Sequence, residues 1–83
     1  MKIKGLSKAK SVCSQMIGIL DDFQSEINDK ESEILDNSYA GMLSRHKADG
    51  LVLLQEAFQD ISTFWKQVEK FERTLNELEN FKL

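Results

Sequence analysis

The sequence predicts an all-α fold: an antiparallel two-helix hairpin that pairs with another helical chain into a four-helix bundle. The 83 residues include no proline and only four glycines, and 41% are apolar while 30% are charged. Apolar residues recur in steps of three and four along both halves of the chain, which is the spacing of an amphipathic helix. A β-sandwich or barrel needs turn residues about every ten positions, and they are missing here. All-β folds are therefore excluded.

The first helix is predicted over residues 6–36. Its apolar residues follow a heptad spacing, resumed after a gap: Leu6, Ala9, Cys13, Met16, Leu20, Phe23, Ile27 and Ile34. Val12 and Ile19 widen this stripe on one flank and Ile17 on the other, and polar residues occupy the remaining surface. Ser7 is the predicted N-cap, because a serine hydroxyl can accept from the free amides of the first turn.

The second helix is predicted over about 42–80 and carries two apolar seams. One contains Leu51, Leu54, Phe58, Ile61, Trp65 and Val68, and the other contains Ala57, Ile61, Phe64, Val68, Phe71, Leu75 and Leu78. A helix in a simple pair needs one seam, so the second calls for a third helix or a partner chain. The predicted partner-binding residues are Leu54, Phe58, Ile61, Phe64, Trp65, Val68, Phe71, Leu75 and Leu78.

The turn of the hairpin is predicted at about 37–41. Asn37 and Ser38 compete for backbone hydrogen bonds, and Gly41 tolerates conformations that other residues resist. Asp49-Gly50 is a second breaker. We expect a break there, as a kink or frayed turn, and a turn at 48–50 is the alternative. The whole chain, 1–83, is predicted to be one helical hairpin.

Catalytic, metal and cofactor sites are not predicted. Cys13 is the single cysteine and lies on the apolar stripe, and His46 is the single histidine, so no zinc cluster or internal disulfide can form. The four glycines are scattered and form no phosphate-binding loop. We therefore expect no enzyme activity, no cofactor and no small-molecule substrate.

The charge and hydropathy patterns also argue against binding to nucleic acid, a membrane span and a cleaved signal peptide. The net charge is −3, which opposes nucleic-acid binding. The longest apolar stretch has four residues, from Leu51 to Leu54, so no membrane span is predicted. The basic N-terminal stretch lacks the apolar core of a signal peptide. We expect a cytoplasmic protein, with any co-export using a route without a cleaved signal.

The predicted bend contains a short motif that is typical of one class of helical hairpin. Tyr39-Ala40-Gly41 stands between the two amphipathic helices, and in this the chain resembles the small WXG proteins of type VII secretion, with Tyr39 in place of the usual Trp. That resemblance implies an aromatic-x-Gly bend and pairing into a four-helix bundle. Family members often carry Tyr-x-x-x-Asp/Glu, or a Phe-led variant, at the end of helix two. Here the residue four positions after Phe71 is Leu75, which is not acidic. Only Trp65 and Glu69 have a similar spacing of an aromatic and an acidic residue.

In that family, the motif at the end of helix two is an export signal. Because this chain lacks it, the resemblance implies a chain that depends on its partner for export, like the small targeting partners of LXG toxins. The leading hypothesis is therefore a non-enzymatic adaptor or targeting protein of type VII secretion. It would bind a toxin's N-terminal helical domain, a WXG-like sister protein or a second copy of itself through helix two. The alternatives are a bacteriocin-immunity-type cytoplasmic protein and a coiled-coil assembly subunit.

Overall fold

A computed structural model of the chain describes residues 1–36 and 44–83, and these residues form two helices and no strand. Helix α1 spans Leu6–Asp36 and helix α2 spans Arg45–Asn80. They run antiparallel, because Lys10 contacts Glu79 near one end of the hairpin, while Gly50 approaches Ile34 near the other. The predicted all-α hairpin is confirmed, and its pairing into a four-helix bundle stays a prediction.

Helix α1 begins at Leu6, two residues earlier than a Ser7 cap would allow. Gly5 has a φ of 87°, in the region that favours glycine, and its carbonyl accepts from the amide of Ala9 at 2.9 Å. Ser7 lies inside the helix. The predicted Ser7 cap is wrong because the glycine immediately before Leu6 turns the chain into the helix.

Helix α2 begins at Arg45, later than the predicted start at 42. Ser44 is extended and its Oγ accepts from the amide of Lys47 at 3.2 Å, which is an N-cap. From Arg45 the helix continues through Asp49 and Gly50 without interruption. The expected break near 49–50 and the alternative turn at 48–50 are therefore wrong, because helical hydrogen bonding tolerates an interior glycine at modest cost.

Gly50 gives a stability prediction with an internal control. A Cβ added there would meet Ile34 Cδ1 at 3.8 Å, an ordinary contact, so Gly50→Ala should raise the free energy of unfolding by about 0.5–1 kcal/mol. Gly5→Ala should instead lower it, because the φ of 87° strains any residue with a Cβ. Thermal and urea unfolding, followed by circular dichroism at 222 nm, measure both. A destabilised Gly50→Ala would contradict an unbroken helix at this position.

The hydrophobic core is a thin line of side chains between the helices. Leu6 and Cys13 of α1 pack with Val68 and Leu75 of α2, at the end of the hairpin that holds both chain termini. Ile27 and Ile61 are also buried, farther toward the connection between the helices. A two-layer hairpin buries few side chains completely, so much of its apolar surface stays accessible.

The two chain termini also meet at that end of the hairpin. The Met1 ammonium donates to the carbonyl of Glu79 at 3.2 Å and also to that of Phe81, the C-cap of α2. Lys10 Nζ lies 2.9 Å from Glu79 Oε2. Positive charge at a helix C-terminus is favourable, since the last carbonyls there have no helical partner.

Candidate partner-binding surface

One long edge of the hairpin, where α1 and α2 lie side by side, holds an open groove of about 520 Å³. We call it the apolar groove. Cys13 and Val68 are buried at its base, whereas Val12, Phe64 and Phe71 along its sides are exposed. The lining residues are Gly5, Lys8, Ala9, Val12, Cys13, Met16, Phe64, Gln67, Val68 and Phe71. The groove thus joins residues from both helices into one hydrophobic surface.

The hydrophobic surface continues beyond the groove toward the connection. Ile19 and Phe23 follow Val12 by seven and eleven residues, so they lie on the same side of α1, and both are exposed. Leu53, eleven residues before Phe64, is exposed on the corresponding side of α2. We call this set the apolar edge: Val12, Ile19, Phe23, Leu53, Phe64 and Phe71.

The opposite edge of the hairpin is polar. Lys10 and Glu79 form their ion pair there, and Ser14 Oγ donates to Glu72 Oε2 at 3.5 Å. Farther along, a hollow is lined by Gln24, Ser62, Trp65, Lys66 and Glu69. Exposed pairs of this kind contribute at most about 1 kcal/mol each, but they keep this edge hydrated. The hairpin therefore has one polar and one apolar edge.

The nine predicted partner-binding residues separate into three groups by exposure. Ile61, Val68 and Leu75 are buried inside the hairpin, and Leu54, Phe58, Trp65 and Leu78 are half-buried. Phe64 and Phe71 alone of the nine are exposed, at 42% and 53%. The surface available to a partner on α2 is thus centred on these two phenylalanines.

The second predicted seam of α2 is therefore wrong in part. Leu75, expected to be exposed together with Phe64 and Phe71, is 5% exposed and packs in the core. The reason is that the inward face of α2 continues from Val68 to Leu75 in one heptad step, while Glu72 turns to the polar edge and accepts from Ser14. In α1, Phe23 was expected on the inward stripe but is 52% exposed.

Sequence reasoning assigned the partner surface to helix two and missed the contribution of α1. Val12 and Ile19 were visible as a flank of the α1 stripe, but the flank that meets Phe64 and Phe71 depends on how the two helices are rotated against each other. That rotation is set by the packing of Cys13 with Val68. The heptad spacing of one helix does not specify how that helix is rotated against the other.

The predicted turn motif, Tyr39 and Gly41, lies outside the described residues. The part of the bend that the structure describes is Asp36 at the end of α1 and the Ser44 cap of α2. The Tyr39-Ala40-Gly41 motif is therefore supported by the sequence alone.

Among the titratable side chains of the described ranges, the close contacts include the Lys10–Glu79 and Lys30–Glu33 pairs on the surface. His46 is exposed and Cys13 is 2% exposed. Glu33 accepts a hydrogen bond from Lys30 at 3.0 Å, and this bond, with the carboxylate charge, raises the pKa of Lys30. Residues 1–36 and 44–83 contain no group of three His, Cys, Asp or Glu side chains placed to hold a metal ion. Neither α1 nor α2 is long and apolar enough to cross a membrane.

Comparison with known proteins identifies no relative of this chain. The chain matches no protein-family model, and neither the curated proteins nor the solved structures give a match.

Proposed function

We propose that this chain is a non-enzymatic helical adaptor that binds a helical partner through its apolar edge, completing a four-helix bundle. In the context of the WXG-like resemblance, the partner is the N-terminal helical domain of an LXG-type toxin or a sister hairpin in type VII secretion. The adaptor meets its partner in the cytoplasm and serves as its targeting factor.

The observation that supports this proposal is the pairing of Phe64 and Phe71 with Val12 across the apolar groove. The two aromatic rings are seven residues apart on α2, so they lie one above the other on a single face. Exposed aromatic clusters of this kind are typical of interface anchors, because each ring buries a large area with little loss of side-chain entropy.

A helix is the partner element that fits this surface best. The groove lies between two antiparallel helices, and the side chains of a third helix can lie along it as a ridge lies in a groove. A second hairpin would cover both α1 and α2, giving each helix the two neighbours that a four-helix bundle provides. The interface proposed here uses both helices, whereas the sequence alone assigned it to helix two.

The test is recovery of the partner from the native host. A tagged chain should co-purify with a toxin or hairpin protein of helical character, identified by mass spectrometry. The double substitution Phe64→Glu/Phe71→Glu should abolish recovery, because it places two charges in a surface that must lose its water. Thr63→Glu/Thr74→Glu is the matched control. It also adds two negative charges to exposed positions of α2, but beside rather than on the apolar edge.

Both variants should keep the helical circular dichroism of the parent chain, since none of the four positions is buried. Equal recovery of the partner by the Phe variant would show that binding uses another surface. A recovered partner with no helical domain would remove the secretion assignment while leaving the binding surface in place.

A further inference from the structure

One end of the hairpin is basic, although the chain as a whole is acidic. This end, which we call the basic tip, consists of residues 1–10 and 74–83 and contains five lysines and two glutamates, a net charge of +3. Residues 19–36 and 44–62, next to the connection, have three basic and ten acidic residues, a net charge of −7. The part between them contributes +1. The overall charge of −3 therefore conceals a rod with a basic and an acidic end.

The lysines of the basic tip outnumber the carboxylates near them. Its two acids are Glu77 and Glu79, and Glu79 is paired with Lys10 at 2.9 Å. Residues 1–20 contain no acidic residue. The lysines with exposed side chains are Lys2, Lys4, Lys8 and Lys82. Positive charge therefore dominates the surface at this end of the molecule.

Exposed apolar side chains lie among these lysines. Ile3 has a lysine on either side in the sequence and is 44% exposed, and Phe81 precedes a lysine and is 57% exposed. The amino group of Met1 donates to the carbonyl of Phe81, so the two segments lie side by side. A surface of this composition suits the interface of a bilayer, where apolar side chains enter the acyl boundary and lysines stay among the headgroups.

The apolar side chains favour an anionic bilayer over other polyanions. Anionic lipid headgroups attract basic residues held within about a Debye length of the surface. A nucleic-acid backbone would also attract the lysines, since its phosphates dominate such binding. It would give Ile3 and Phe81 no apolar layer in which to lose their water, whereas a bilayer provides one.

The charge distribution selects an end-on orientation on such a surface. The hairpin is 65 Å long, and Asp21, the first acid of α1, lies about 22 Å along the helix from Leu6. The Debye length is about 8 Å at physiological ionic strength, so an upright rod keeps its acidic end in screened solution. A rod lying flat would place its ten acidic residues next to the anionic surface, which is unfavourable.

We propose that the basic tip docks end-on onto an anionic lipid surface, with Ile3 and Phe81 in the interface and the exposed lysines among the headgroups. This inference goes beyond the proposed function, because it uses the end of the hairpin and leaves the apolar edge free. A helical partner bound along that edge would then be held at the membrane.

Co-sedimentation of the purified full chain with lipid vesicles tests the docking. In about 100 mM NaCl the chain should bind phosphatidylcholine vesicles that contain about 30% phosphatidylglycerol, and should not bind phosphatidylcholine alone. Binding should weaken at least about fivefold in 500 mM NaCl. No binding to the anionic vesicles, or equal binding to both kinds, would overturn the inference. Retention of duplex DNA without vesicle binding would assign the basic tip to nucleic acid and would also overturn it.

Two charge-reversal variants locate the binding on the chain. Lys2→Glu/Lys4→Glu should lower the affinity for anionic vesicles at least about tenfold, because it reverses two charges at the tip. Lys66→Glu/Lys70→Glu is the matched control, with the same change in net charge at exposed positions about 16–22 Å along α2 from Phe81. It should bind within about threefold of the parent chain. Equal losses would show that the total charge drives binding and would contradict docking through the tip.

Two apolar variants test the orientation. Ile3→Ser/Phe81→Ser should lower the affinity for anionic vesicles at least about fivefold and keep the helical circular dichroism, since both side chains are exposed. Ile19→Ser/Leu53→Ser removes two exposed side chains from the apolar edge and should bind vesicles within about twofold of the parent. A larger loss in this second variant would mean that the rod lies flat on its apolar edge. Loss of vesicle binding leaves recovery of a helical partner unaffected, so this inference and the proposed function fail separately.

Discussion

Ile27→Ala should lower the free energy of unfolding by about 2–5 kcal/mol, whereas Ile19→Ala on the same helix should change it by less than about 0.5 kcal/mol. Ile27 is 3% exposed and Ile19 is 66% exposed, so the same change in side chain removes buried packing at one site and hydrated surface at the other. Alanine also has a slightly higher helix propensity than isoleucine, which favours the exposed variant further.

The size of the Ile27 effect matters because the hairpin has a small core. A domain of this length has a total stability of about 4–12 kcal/mol, so the loss at Ile27 would remove a large fraction of the free energy of unfolding. Urea unfolding of the purified chain, followed by circular dichroism, measures both variants. Equal stabilities of the two variants would place Ile27 outside the core and contradict the packing described above.

Phe64→Glu/Phe71→Glu should weaken binding of the helical partner at least about 100-fold. Each ring buried by a partner contributes on the order of 1.5–3 kcal/mol, and a glutamate at the same place adds the cost of removing water from a charge. Isothermal titration calorimetry with the purified partner domain measures the loss. The Thr63→Glu/Thr74→Glu control should bind within about threefold of the parent, because it leaves the apolar edge intact.

A conservative substitution separates the contribution of the rings from that of the added charges. Phe64→Leu/Phe71→Leu keeps the edge apolar and should cost much less than the glutamate pair. Equal loss in both variants would mean that ring shape, and not burial of apolar area, dominates recognition.

Much of the fold could be predicted because its determinants are local. The steps of three and four from Leu6 to Ile34 specify an amphipathic helix from the sequence alone, and the observed α1 ends at Asp36. The start of α2 at the Ser44 cap also has a local signal, a serine just before the helix. Gly50 does not interrupt α2, since a single interior glycine costs only about 1 kcal/mol against the packing of a 36-residue helix.

The partner surface could be predicted only in part because it depends on contacts between the helices. Phe71 and Leu75 are four residues apart and belong to one helical stripe, yet one is 53% and the other 5% exposed. Their difference is set by the position of α1, in particular by the packing of Cys13 against the Val68 and Leu75 cluster.

Hydroxyl-radical footprinting of the complex tests the central claim most directly, because phenylalanine and tryptophan report their own exposure without any substitution. Phe64 and Phe71 lie on the apolar edge, and Trp65 lies beside the polar edge as an internal reference. Relative to the free chain, the partner-bound chain should show oxidation of Phe64 and Phe71 reduced several-fold, with oxidation of Trp65 unchanged. Undiminished oxidation of Phe64 and Phe71 in a saturated complex, or protection of Trp65 instead, would contradict binding through the apolar edge.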